Sequence, residues 1–165
     1  EETLLERFLH LETRILISAE RDFVHQYEIY RDHFEAIESP YRYVNAGTFM
    51  GFGDALLEML EEMLEIDQRQ PGNDQGLLGI WAHRNLKRTA KLKLDCNCEV
   101  FWVTTRDWEQ ILSERGFGRI RNSVTNTTPV IVHGIGGRDP GTKMEKAFRR
   151  HYDVILASSE GGARP

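Results

Sequence analysis

Residues 43–53 read YVNAGTFMGFG, and the fold turns on how that stretch is understood. Tyr43, Val44, Phe49 and Met50 are ordinary strand formers, but Asn45, Gly47, Gly51 and Gly53 interrupt them. A strand packed on both faces gains nothing from a polar amide, and glycine weakens it. Glycine inside a strand marks a bulge, or a place where something approaches the backbone closely. The stretch therefore reads as a strand-like segment punctuated by glycine, with something close to its backbone.

Outward from there, helical and strand patterns alternate. Leu4, Leu5, Phe8, Leu9 and Leu11 have helical spacing, and RILISAE (14–20) is a short apolar run suited to a buried strand ending at Glu20. Residues 21–40 are polar and aromatic and read as an irregular, partly helical excursion ending at Pro40. Asp54 can cap a helix over 55–66, with Leu56, Leu60, Met63 and Leu64 as its apolar stripe and Glu58, Glu61, Glu62 and Glu65 in water. After the turn-rich DQRQPGND (67–74), Asp74 opens a helix carrying Leu77, Leu78 and Trp81. KLKLD (91–95), VFWV (100–103), RIRN (119–122) and TPVIVHG (128–134) read as strands, and TKMEKAFRRHY as a closing helix. Strands alternating with helices give the α/β class, a mixed sheet flanked by helices.

Composition narrows the function. The 165 residues suit one domain. A formal net charge of -5 provides no basic field for nucleic acid, and no apolar run approaches a membrane span. Cys96 and Cys98 have no second Cys/His pair at metal-finger spacing and read as two small residues on a strand. Asn126 begins a glycosylation-acceptor pattern beside Pro129, which does not by itself indicate secretion.

Polar groups fall where strands stop, the place where ligands bind in open α/β sheets. They are Glu20 after ILISA, Asn45 in VNAG and His133 after PVIV, with Asp74-Gln75 at a helix start. Singly each has an ordinary structural reading: a satisfied histidine, a bulge, a helix cap. The three tryptophans, Trp81, Trp102 and Trp108, can stack on a ligand ring, but core positions suit most of them better.

Their order carries more. SAE, YRYVNAGTFMG, NDQGLL, LDCNCEVFW and TPVIVHGIGG follow one another in the chain. This succession resembles the glycosyltransferase domain of the collagen lysyl hydroxylases and related procollagen glycosyltransferases over about residues 3–143. The resemblance implies the C-terminal half of a GT-A fold in residues 1–143, with 144–165 as closing helix and tail. It implies a metal-dependent transferase moving a hexose from a UDP-sugar to a hydroxyl of a protein or glycan acceptor. His133 would be a ligand to a divalent cation such as manganese. Asn45, Ala46, Gly47 and Gln75 would line the donor sugar, Gly47 leaving room for the pyranose. Gly134, Gly136 and Lys143 would lie at the phosphates. Asp74 and Glu20 match the family's acids and are the candidate catalytic residues, neither with a firm role as base. The resemblance points to the secretory pathway, whereas the low cysteine count is as compatible with the cytosol.

Two departures stand beside it. No Asp-x-Asp or Asp-x-x-Asp occurs in the sequence, so the metal carboxylates are expected upstream of Glu1, and these residues alone should bind metal and UDP poorly. The family's Gly-Asn-Gly is Gly134-Ile135-Gly136, and Asn73 thins the acidic cluster before Asp74. Both keep open an alternative, a degenerate transferase domain that binds or builds without catalysis.

Overall fold

The computed structural model describes residues 3–24, 28–69, 72–88, 91–104 and 120–134. Helix α1 (Leu4–His10) begins with a capping box, in which Thr3 Oγ1 accepts from the Glu6 amide and Glu6 Oε2 from the Thr3 amide. Strand β1 (Ile15–Glu20) is buried along its whole length. A 3-10 turn (Glu28–Tyr30) and the short α2 (Arg31–Glu35) make up the excursion before β2 (Tyr43–Gly51). Helices α3 (Gly53–Arg69) and α4 (Asp74–Asn85) follow, then β3 (Leu92–Asp95), β4 (Phe101–Thr104) and β5 (Ile131–Gly134).

The first three strands form a mixed sheet in the order β2-β1-β3, with β1 antiparallel to β2 and parallel to β3. Strands β4 and β5 pair in parallel as a second ladder. The α/β reading with helices flanking a mixed sheet is thus what the chain forms. Ile15 and Ile17 pack into one core with Phe34, Met59, Leu78 and Ile80 from the helices. Leu16 packs with Phe8, Val100 and Phe101. Side chains as buried as these each stabilise the fold by about 1.5–3 kcal/mol relative to exposure.

Several expectations need correction. Helix α3 is longer than 55–66, and Asp54 lies in its first turn, ion-paired with Arg14. Its core face is Ala55, Met59 and Ile66 with Leu56 and Met63 beside them, whereas Leu60 and Leu64 are exposed. The acids mark that rotation: Glu62 is not simply solvated but accepts the Trp81 indole N–H at 2.6 Å. Trp81 and Trp102 are core residues, and Trp102 donates to the Tyr41 hydroxyl at 3.0 Å. Residues 120–122 make only an isolated bridge, Asn122 to Thr127, because the Asn122 carboxamide caps its own turn at Val124. Cys96 and Cys98 stand in a turn, not on a strand, and Cys98 has φ 53°. Asp95 causes that turn by accepting the amides of Glu99, Val100 and Phe101 at 2.7–2.8 Å. Trp108, RIRN's Arg119 and the closing helix and tail (144–165) lie outside the described residues.

Candidate active site

The β1–β2 ladder is regular from Ile15 to Ile17, which face Gly51 to Phe49, and resumes at Ala19 opposite Val44. Between those pairs Ser18 alone faces Asn45, Ala46, Gly47 and Thr48, so β2 is thrown out of register as a wide bulge. Asn45 folds over it: its Oδ1 accepts the Gly47 amide at 2.9 Å, while Ser18 Oγ donates to the Asn45 carbonyl at 3.1 Å. This is the use of the asparagine, since its short side chain replaces the missing ladder partner.

The bulge brings the candidate residues together. Glu20, only 1% exposed, ends β1 beneath it. Its Oε1 accepts from Gln75 Nε2 at 2.7 Å and from Asn45 Nδ2 at 3.3 Å, and its buried Oε2 has no partner among the described residues. Gln75 also donates to the Val24 carbonyl at 2.8 Å and accepts the Ala46 amide at 3.3 Å. One side chain on α4 thereby ties together the end of β1, the bulge and the segment that leaves β1.

The second ladder delivers His133. A Cβ placed on Gly47 would lie 2.1 Å from His133 Nε2, so Gly47 must be glycine for the imidazole to lie against the bulge. The room that Gly47 leaves is filled by His133, not held open for a sugar. Gly134 is the last residue of β5, paired with Thr104, whose hydroxyl donates to the His133 carbonyl at 3.3 Å. Glu20, Asn45, Ala46, Gly47, Gln75 and His133 thus form one polar cluster between the two ladders.

Asp74 stands apart. It is exposed, its Oδ1 accepts the Gln75 amide at 2.8 Å, and Asn73 rather than Asp74 caps α4 by accepting the Gly76 amide at 2.7 Å. Gly136 and Lys143 lie outside the described residues. Ser18 and the Val24 carbonyl belong to the cluster without having been singled out in the sequence. Ser18 had a signal, its place beside the strand end in SAE; a backbone carbonyl has none.

Electrostatics follow from burial. Burial pushes the Glu20 carboxyl up to about 7; the hydrogen bonds from Asn45 and Gln75 oppose that shift and the Asp22 charge adds to it. Burial also holds the His133 imidazole below its ordinary value, which keeps it neutral. A neutral imidazole is the form that ligates metal. Among the described residues, however, no three His, Cys, Asp or Glu side chains gather around one point. His133 fits as one ligand of a divalent cation, and the described residues do not complete a metal site. Among them, too, no helix is long and apolar enough to cross a membrane.

Comparison with known proteins shows the family. Residues 1–144 match the family model described as the PLOD GT domain. The chain is 24% identical over 163 residues to the human multifunctional procollagen lysine hydroxylase and glycosyltransferase LH3, covering 96% of this chain and 21% of that protein. It is 27% identical over 141 residues to the Caenorhabditis elegans multifunctional procollagen lysine hydroxylase and glycosyltransferase, covering 81% and 19%. An uncharacterized protein of Acanthamoeba polyphaga mimivirus, R699, is 30% identical over 105 residues, covering 64% and 21%. The chain spans about a fifth of the length of each of these relatives. The fold and the match together define a glycosyltransferase-type domain. The chain belongs to the PLOD GT domain family.

Proposed function

We propose that this domain works in a metal-dependent transfer of a hexose from a UDP-sugar to a hydroxyl of a protein or glycan. One observation carries the reading: His133 lies against Gly47, so a candidate metal ligand and the Asn45–Glu20 cluster share one site between the two ladders. A cation, when bound, would offset the charge developing on the departing diphosphate, with His133 as one ligand and carboxylates from outside the described residues.

The chain's own residues act around that centre. The bulge at Asn45–Ala46 presents backbone and amide edges to sugar hydroxyls, and the Gly47 backbone positions His133. Asp74, exposed at the start of α4, is free to accept hydrogen bonds from the acceptor's hydroxyls. A role of Gly134, Gly136 and Lys143 at the phosphates has the family resemblance as its support. The names of the relatives support a collagen-type acceptor only as one candidate class.

The test is hydrolysis and transfer with UDP-glucose and UDP-galactose by the full-length protein with manganese, beside His133→Ala. The reading expects turnover that requires both the metal and His133. Binding of UDP without turnover of either sugar would replace it with a non-catalytic binding module, for which the Gly134-Ile135-Gly136 departure argues.

A further inference from the structure

Gln75 and Glu20 divide the hydrogen bonding of the cluster unequally. Gln75 Nε2 donates to Glu20 Oε1 and to the Val24 carbonyl, and Gln75 Oε1 accepts from the Ala46 amide and from Asn45 Nδ2 at 3.4 Å. A side-chain amide holds two donated and two accepted bonds, so none is left for a ligand. Its orientation is unambiguous, because the Val24 carbonyl only accepts and the Ala46 amide only donates. Glu20 is the reverse case. Its Oε1 takes two N–H donors, while Oε2 is buried and unpartnered among the described residues. A buried polar atom without a partner is costly unless something supplies one.

The surroundings also favour one form of the carboxyl below about pH 7. From β2 it meets the neutral Asn45 and from α4 the neutral Gln75; the charge acting on it is Asp22, of like sign. At 1% exposure and with the like-signed Asp22 charge acting on it, the neutral acid is favoured. Because N–H donors occupy Oε1, the proton belongs on Oε2.

We propose that Glu20 serves its ligand as a neutral carboxyl, its Oε2–H donating to an acceptor oxygen of the bound sugar directly or across one water, with Gln75 as the positioning residue. This deepens the proposed function and rests on it for the identity of the ligand. It moves Gln75 from the donor-lining set to the support behind it. A sugar lacking the oxygen that meets Oε2 is then discriminated against, because the site's own donor is left unpaired.

The experiment measures UDP-glucose affinity by calorimetry on the full-length protein between pH 5.5 and 8.5 (a range set about the ordinary histidine region), with UDP alone as control. Wild-type affinity should fall as pH rises through about 7, the value to which burial pushes Glu20. Glu20→Gln keeps an N–H donor in place of Oε2–H, so it should lose less than about threefold and no longer depend on pH. Glu20→Ala should lose about tenfold, one hydrogen bond's worth. Gln75→Leu removes a bond that stabilises the carboxylate, so the midpoint should move to higher pH, which a loss of stability alone would not do. UDP affinity should be unchanged in all three. An infrared band of a protonated carboxyl at pH 6, absent in Glu20→Gln, reads the same claim without any ligand. Equal losses in Glu20→Gln and Glu20→Ala, affinity that rises with pH, or absence of that band would overturn the inference. Failure of the wild type to bind UDP-glucose would instead contradict the proposed function, and the infrared band would then decide the inference by itself.

Discussion

The two halves of the β1–β2 ladder are built from neighbouring residues and follow different rules. In the half from Ile15 to Ile17, the register is regular and apolar packing decides everything. In the half from Ser18 to Glu20, the ladder gives way to a bulge held by Asn45, Gln75 and Glu20. Each half has a glycine, and the two glycines teach the difference. A Cβ on Gly51 would meet the Arg14 carbonyl at 2.7 Å and Ile15 Cγ1 at 3.2 Å, so that glycine serves packing. A Cβ on Gly47 would meet His133 Nε2, the end of a side chain from the other ladder, so that glycine serves the site.

The largest effect expected from this contrast concerns Glu20. Its folded-state carboxyl titrates at about 7, above the ordinary value of 4.5. The native state therefore holds the proton more tightly than the unfolded chain, and stability falls as pH rises from about 4.5 to about 7. Above that window the ionised group costs the fold about 3 kcal/mol. Glu20→Gln should abolish this slope and be the more stable protein at pH 8, as read by urea denaturation at several pH values. A wild-type slope of opposite sign would break the contrast, since the polar half would then gain from its charge.

Gly51→Ala comes next. The clash is with backbone, which cannot turn aside, so the cost should be about 1–3 kcal/mol by urea denaturation, with the His133 resonances unmoved. Gly47→Ala should show the complement. The imidazole can rotate away, so stability should fall by about 1 kcal/mol or less while the His133 ring resonances shift and any metal dependence weakens. If both substitutions acted alike, the two halves would not be distinct.

The smallest effect lies away from both. His33 and His83 pack edge to face with ring centroids 4.5 Å apart, and Tyr30 stacks on His83 at 4.4 Å. Burial lowers both imidazole values, and the neighbouring His83 and Lys87 charges lower His33 further. Protonation thus favours the unfolded chain, and stability is lost as pH falls below the ordinary histidine value of about 6.5. Both rings are only half-buried, so solvent screening keeps the loss under about 1 kcal/mol. Faster hydrogen exchange at Ala36 and Ile37 near pH 5, cancelled in His33→Phe, would show it.

The apolar half was the legible half. ILISA, the Asp74 helix and the VIVHG strand could be read from period and run length, and for ILISA burial alone decides the strand. The phase of α3 was not legible, since Leu60 and Leu64 look as apolar as Met59 and only the packing of α4 selects the face. The polar half was legible as to which residues matter and not as to how. Asn45 announced itself among glycines, but the four bonds of Gln75 and the three amides on Asp95 depend on atoms that only the fold brings together. Asp74 shows the limit from the other side, because a matching acid at a helix start is exposed and accepts the Gln75 amide of its own helix.

The most direct test of the central claim, that the bulge and β5 together form one sugar-nucleotide site, is an amide and imidazole NMR titration of the full-length protein with UDP-glucose in the presence of magnesium. The account predicts shifts centred on Ala46, Gly47 and His133, with Phe49–Gly51 and the outer face of α3 silent. Shifts that spare His133 and the bulge, or gather on α3, would contradict it.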